Sequence, residues 1–317
     1  MNKNSNNILY QIVREIRPRQ WIKNFFVFGA IMFAKKIFEL EFLIPTIIAF
    51  FSFSFMASFV YILNDVVDVK KDRLHPIKQN RPIASGKLKI PTALFFAFIF
   101  LFVAIFLALS VNIYLFFIII AYLVLQVLYS FYLKNFIIID ALSVSVGFIF
   151  RVFAGGIATN VSISSWLILS VIGLSLLMAF GKRRAEKTIL QSKNIKLETR
   201  NTLKHYPDSL LDAMVTTSAS FAMITYSLFT FFTSPSNKTP EILLGILPNT
   251  ISAPKWMMLT IPIFLYAIGR YLYVIYENKN AESPERALLE DKPLIISILV
   301  WGLAILLFYY VLGTVNL

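Results

Sequence analysis

The chain has 317 residues, 58% of them hydrophobic and only 15% charged, with a formal net charge of +13. Soluble domains run closer to half apolar and a quarter charged, so this composition excludes an ordinary soluble fold and defines an integral membrane protein. The absence of cysteine excludes disulfides, thiolate metal sites and cysteine nucleophiles together, and two distant histidines, His75 and His205, are too few for zinc.

In chain order, residues 1–20 read as an amphipathic N-terminal segment without the apolar core or cleavage site of a signal peptide. Apolar runs of about 20 residues cross a bilayer as helices. They fall at 21–38, 42–64, 91–110, 112–133, 137–158, 163–182, 208–233, 255–276 and 293–314. The expectation is therefore an all-α, nine-helix transmembrane bundle forming one domain over 1–317. Placing the N-terminus in the cytoplasm puts 24 of the 30 lysines and arginines on the cytoplasmic side and four on the other, with Arg151 and Arg270 inside spans. That asymmetry sets the orientation. The long polar loops 65–90 and 183–207 are then both cytoplasmic, which is where chemistry is expected. The excess of positive charge reads as topology and as anionic ligands or lipids, with no nucleic-acid partner.

Where the second run ends, Asn64, Asp65, Asp68 and Asp72 form N-D-x-x-D-x-x-x-D. On a continuing helix the three aspartates fall within about 60° of one another, and carboxylates so placed repel unless a cation lies between them. Mg²⁺ takes a few carboxylates and completes its shell with water or phosphate oxygens. The neighbouring Lys70, Lys71, Arg73, Lys78 and Arg81 suit a phosphate-rich ligand. The plainer alternative is a solvated helix end whose acids pair with these bases.

Further along, Asp140 and Arg151 lie eleven residues apart in the fifth run, three turns on nearly one azimuth. Ionisable residues in a span normally face the bundle interior and carry function; a structural ion pair is the rival for Arg151, and Asp140 sits close enough to the boundary to snorkel. The sixth run ends in "GKRRAE", where Lys182, Arg183 and Arg184 can receive a phosphate, although Lys182 and Glu186 also form an ordinary i,i+4 pair. In "RPRQWIKN" the bases Arg17, Arg19 and Lys23, with Trp21, suit anionic headgroups.

These motifs resemble the UbiA prenyltransferase superfamily over nearly the whole chain, with "YSFYLK" after the fourth helix as a further match. Aromatic prenyltransferases of that superfamily carry a second aspartate-rich motif after the sixth helix, and this chain has "GKRRAE" there. With "RPRQWIKN", "DRLHPIKQNRPIASGKL" and "DALSVSVGFIFRVFAGGIA", it is similar to the decaprenyl-phosphate phosphoribosyltransferase branch. The resemblance implies a central polar cavity open to the cytoplasm and Mg²⁺-dependent transfer of ribose 5-phosphate from phosphoribosyl diphosphate (PRPP) to a polyprenyl phosphate, in a bacterial cell membrane. It implies that Asp65 and Asp68 hold the metal, with Asn64 and Asp72 completing the site. Lys78, Arg81, Lys134, Arg151, Lys182, Arg183 and Arg184 would meet phosphates, with Asp140 nearby, and Arg19 and Lys23 the lipid phosphate. Tyr129 and Glu186 would meet ribose hydroxyls. The rivals are an aromatic or quinone prenyltransferase, which leaves the second motif unexplained, and a transporter or lipid-binding protein. Homo-oligomerisation is left open.

Overall fold

The computed structural model describes residues 7–74, 78–192, 206–234, 255–277 and 290–311. Both histidines, residues 75–77 and 193–205 of the two polar stretches, and the end of the ninth run lie outside them. The described residues form helices and turns with no strand, and the chain divides into two compact units, residues 1–163 with 196–205 and residues 164–195 with 206–317.

The first unit opens with α1 (Ile8–Glu15), capped by the Asn7 side chain, and a 3₁₀ run, Pro18–Phe28, leading into α2 (Gly29–Phe33). Then come α3 (Leu40–Val67), the short α4 (Val69–Leu74), α5 (Ile90–Val111), α6 (Ile113–Phe131) and α7 (Ile139–Thr159). α5 shows how lipid-embedded packing is written in sequence. Its buried residues are four alanines, Ala93, Ala97, Ala104 and Ala108, while Phe95, Phe98, Phe102 and Phe106 point outward. In lipid, apolar side chains gain nothing by leaving the bilayer, so helices associate through small residues that let backbones approach. Here α3 comes close enough for Ser52 to donate to the Ala104 carbonyl at 2.8 Å. Asn112 ends α5 and caps α6, accepting from the Leu115 amide at 2.8 Å and donating to the Ile157 carbonyl at 3.0 Å. On α7 a Cβ at Gly155 would stand 1.8 Å from the Val27 carbonyl oxygen, so only glycine permits that crossing.

The second unit contains α8 (Ser165–Ser192), α9 (Asp208–Thr233), a 3₁₀ turn Trp256–Thr260 continuing into α10 (Ile261–Glu277), and α11 (Lys292–Ile305), which ends in a π-helical turn. Gly173 of α8 lies against the Ala222 backbone. Tyr226 joins Thr260 and Trp301 through its hydroxyl and stacks on Phe264 at 4.1 Å. Asp291 caps α11 and accepts both Nε and Nη2 of Arg270 at 3.0 and 2.9 Å.

Among the described residues seven helices, not the nine expected, are long and apolar enough to cross a membrane. The first and ninth runs are the two that fall short of that length among the described residues. Residues 21–38 do not form one α-helix, because polar side chains bind sideways: Trp21 donates to Ser58 and Asn24 to Ser54 of α3. That lateral anchoring winds the segment as an eleven-residue 3₁₀ run, well beyond the usual three or four residues. The ninth run starts as α11 but passes into a π turn after 14 residues. The two "loops" also differ from expectation. Asp65–Leu74 is helical apart from a break at Asp68, and α8 carries "GKRRAE" on its axis as far as Ser192.

Candidate active site

The acidic motif stands where α3 gives way to α4, in the first unit. Asp65 and Asp72 are two helical turns apart on one face, and each residue is 3% exposed. Arg81 comes from the turn after Lys78–Asn80 and bridges them, its Nη1 2.9 Å from Asp65 and 2.6 Å from Asp72. Arg17 donates to the other Asp65 oxygen and lays its guanidinium 5.2 Å above the Tyr61 ring. To reach there, Arg17 adopts a left-handed backbone, φ 53°, unusual for a side chain of that size. Burial works against the Arg17 charge, but the Asp65 carboxylate outweighs it and holds the guanidinium above its ordinary value.

Asp68 does not join the other two. The helix breaks at this residue, so its carboxylate turns to the rim, 30% exposed and 3.6 Å from Lys134 Nζ. The sequence spacing placed all three on one face; the break takes the middle one off it. Asn64 supports the break through its carbonyl, which accepts the Asp68 amide at 2.9 Å. Lys78 accepts the Arg81 amide at 3.0 Å through its own carbonyl, closing the turn that delivers Arg81.

Glu15, the last residue of α1, is 1% exposed and neither carboxyl oxygen has a hydrogen-bond partner. Burial first, and the nearby Asp65 second, push its carboxyl up to about 8. Arg17 and Glu15 were both missed in the sequence, where Arg17 read as a headgroup anchor. The signal for them is positional: charges two residues apart straddle the end of an amphipathic helix, where the backbone changes conformation at Arg17.

Among the described residues no three carboxylate or imidazole groups converge as a ready-made metal ligand set. The donors present nevertheless suit a hard cation. Asp65 and Asp72 are buried carboxylates already paired with positive charge, and Glu15 stands beside Asp65 with its carboxyl raised. A hydrated divalent cation satisfies such a set.

Deeper in the same unit, Arg151 is 5% exposed. It donates from Nε to Asn24 Oδ1 at 2.7 Å, from Nη1 to the Gly147 carbonyl at 2.6 Å and from Nη2 to the Tyr122 hydroxyl at 3.0 Å. No carboxylate of the described residues lies within ion-pair distance, which removes the structural ion pair as its explanation. Asp140 is fully buried in the first turn of α7, and Tyr129 is half-buried on α6, two turns beyond Tyr122. Lys23 donates to Gln20 at 2.9 Å, and Arg19 is exposed.

In the second unit, Arg183 is 3% exposed and 3.5 Å from Glu186, and Lys182 precedes it on the same helix. Arg184 behaves differently: it holds Asp212 at 2.7 Å and covers the Tyr276 ring, while Lys187 holds Asp208 at 2.9 Å and the Tyr206 carbonyl at 2.6 Å. The basic run therefore divides, with Arg184 and Lys187 fastening α8 to the start of α9.

A model of the UbiA prenyltransferase family matches residues 24–290, and the chain belongs to that family. It is 32% identical to the decaprenyl-phosphate phosphoribosyltransferase of Corynebacterium glutamicum, over 96% of this chain and 89% of that protein. It is 31% identical to the enzyme of the same description from Mycolicibacterium smegmatis, over 93% and 91%. Among solved structures, a UbiA homolog from Archaeoglobus fulgidus bound to GPP and Mg²⁺ superposes with a TM-score of 0.64 at 15% identity, covering 96% of this chain and 100% of that one. This last likeness concerns the fold.

Proposed function

We propose that the chain is a membrane-bound phosphoribosyltransferase that moves the 5-phosphoribosyl group of PRPP onto a polyprenyl phosphate and releases diphosphate. The observation that carries this reading is the site at the end of α3, where buried Asp65 and Asp72 are interleaved with Arg81 and Arg17. A donor that leaves as diphosphate needs both signs of charge in one place, carboxylates for a cation and guanidinium groups for phosphate oxygens. The near-full-length similarity to phosphoribosyltransferases supports the same reading.

Asp65 and Asp72, with Asp68 at the rim and Asn64 fixing the break, would hold Mg²⁺. When bound, the metal offsets charge growing on the departing diphosphate. Arg81 and Arg17 are placed to turn from the carboxylates to phosphate oxygens, an interaction that strengthens as the C1–O bond breaks and therefore lowers the barrier. Lys78 and Lys134 add positive charge at the rim. The bond from ribose C1 to diphosphate breaks, and one from C1 to a lipid phosphate oxygen forms on the opposite face. The acceptor is already an anion at neutral pH, so no protein base is required, in keeping with a chain that has two histidines. Arg19 and Lys23 serve the lipid headgroup, Lys182 and Arg183 a phosphate, and Tyr129, Asp140 and Glu186 ribose hydroxyls, whereas Arg184 serves packing. The chain works as one domain in a bacterial cell membrane, with its N-terminus and its polar cavity on the cytoplasmic side.

The test is purified protein with labelled PRPP, polyprenyl phosphate and Mg²⁺, beside a tube of labelled polyprenyl diphosphate and 4-hydroxybenzoate. Label passing from PRPP to lipid, lost on chelation and reduced at least about a hundredfold in Asp65→Asn, is expected; metal-site supporting residues alone are worth about 10–100-fold. Label reaching only the aromatic acid would make the protein a prenyltransferase instead.

A further inference from the structure

Helix α1 has its polarity turned inside out. At about 100° per residue, Gln11, Ile12 and Glu15 share one side of Ile8–Glu15, and all three are buried against the protein, the two polar ones at 1% exposure. Leu9, Tyr10 and Val13 share the opposite side, exposed at 66%, 46% and 46%. A helix on the surface of a water-soluble fold does the reverse, turning its apolar stripe to the core and its polar side chains out. What lies outside α1 is therefore apolar.

The inward side is held at its C-terminal end. Arg14 donates to the Asn80 carbonyl at 3.2 Å, in the turn that delivers Arg81, and the Ile16 carbonyl accepts from Ser58 of α3 at 3.1 Å. Glu15 lies beside Asp65, and Arg17 donates to it. α1 thus forms an outer wall of the acidic cluster. Its level follows from α3, whose 28 residues measure about 42 Å against about 30 Å of hydrocarbon. The excess length carries the cluster at the end of α3, and the helix braced on it, to the lipid headgroups. With eight residues α1 is too short to cross, so it lies along the surface. Its charge suits that place: Arg14 and Arg19 are exposed, and the lone acid of residues 1–23 is the buried Glu15.

We propose that α1 is an interfacial docking helix. Leu9, Tyr10 and Val13 enter the acyl boundary of a leaflet containing anionic phospholipid, Arg14 and Arg19 meet its headgroups, and the bilayer thereby presses the wall of the acidic cluster into place. Such helices lie in the interface plane and bind by buried apolar area together with attraction to anionic lipid. Each basic side chain near an anionic surface favours binding about fivefold, so two together amount to about thirtyfold over a neutral bilayer. Docking of this kind is independent of which group the protein transfers.

The chain has no cysteine, so single spin labels can be placed on the full-length protein through Leu9→Cys and Val13→Cys. Phe102→Cys on the outward side of α5 supplies the reference for lipid and Lys87→Cys on an exposed turn the reference for water. Relaxation by oxygen, which enters lipid, and by a water-soluble nickel chelate then reports where each label sits, in bilayers of phosphatidylcholine alone and mixed with phosphatidylglycerol. In the mixed bilayer the Leu9→Cys and Val13→Cys labels are expected to respond to oxygen and not to nickel, and the docked fraction should fall without phosphatidylglycerol or with Arg14→Gln and Arg19→Gln together. Labels that respond to nickel as Lys87→Cys does in both bilayers would overturn the docking. Spin–spin broadening between labels would put a second copy of the chain on this face and overturn it equally. Docking that is the same in both bilayers would refute the part given to Arg14 and Arg19. Val13→Glu, on the outward side, should release the Leu9→Cys label to water and weaken binding of inorganic diphosphate with Mg²⁺ severalfold; release with unchanged diphosphate affinity would refute the coupling to the acidic cluster. Labels in lipid on a protein that binds no diphosphate would refute the proposed reaction and keep the docking.

Discussion

Replacing Glu15 by glutamine should make the protein more stable at neutral and alkaline pH and leave it unchanged in acid. The Glu15 carboxyl is 1% exposed and lies beside Asp65. Burial, then Asp65, raise it from an ordinary 4.5 to about 8. Between those values the folded protein keeps a proton that the unfolded chain releases, so stability falls as pH rises, by at most about 1.4 kcal/mol per pH unit. The contribution is complete below pH 4.5 and lost by about pH 8, and by pH 7 the accumulated loss is on the order of a few kcal/mol. Glutamine fills nearly the same volume and cannot ionise, so it escapes the loss. The assay is thermal unfolding in detergent, without added metal, at intervals from pH 5 to 8.5 for both proteins. Curves that diverge upward in pH, with the variant higher, are expected; parallel curves would refute the assignment of Glu15 as a buried, protonated acid. Asp65→Asn should shrink the divergence by removing one of the two causes.

Two further outcomes concern the frame. Gly155→Ala drives a methyl group to 1.8 Å from the Val27 carbonyl; overpacking of this kind costs about 1–3 kcal/mol or more, so the melting temperature should drop by several degrees or the yield of folded protein collapse. Asp291→Ala removes the α11 cap and both bonds to Arg270, with an expected loss of about 1 kcal/mol from the cap alone. Hydrogen bonding to Arg270 holds the Asp291 carboxyl below its ordinary value. Its stabilisation is therefore present above the unfolded pKa and disappears as pH falls through the lower folded one, so the variant's deficit should narrow only in strong acid.

The membrane class and the helical fold were legible because both rest on a local signal, the length of the apolar runs, and the regular spacing of Asp65 and Asp72 foretold that these two carboxylates share a face. What escaped depends on departures from regular helices. The break at Asp68 sends that carboxylate to the rim, and the left-handed Arg17 carries a presumed headgroup anchor into the acidic cluster. Asn24 and Tyr122 escaped for another reason. Each looks like an ordinary interfacial or core residue until Arg151, 127 and 29 positions away, identifies it as a partner. In the basic run, Arg183 and Arg184 are adjacent and indistinguishable by type; only the azimuth that faces Asp212 separates a fastening residue from a ligand candidate.

The alanine face of α5 bears on how this chain can change over generations. Its four buried alanines line the face on which neighbouring helices pack, and close approach favours small residues there, while the outward phenylalanines face the lipid side, for which leucine or isoleucine serves equally well. Random substitution of the helix should therefore yield a library in which survivors vary freely at the bulkiest positions and scarcely at all at the smallest. In that helix the identity of the protein is carried by its least conspicuous side chains.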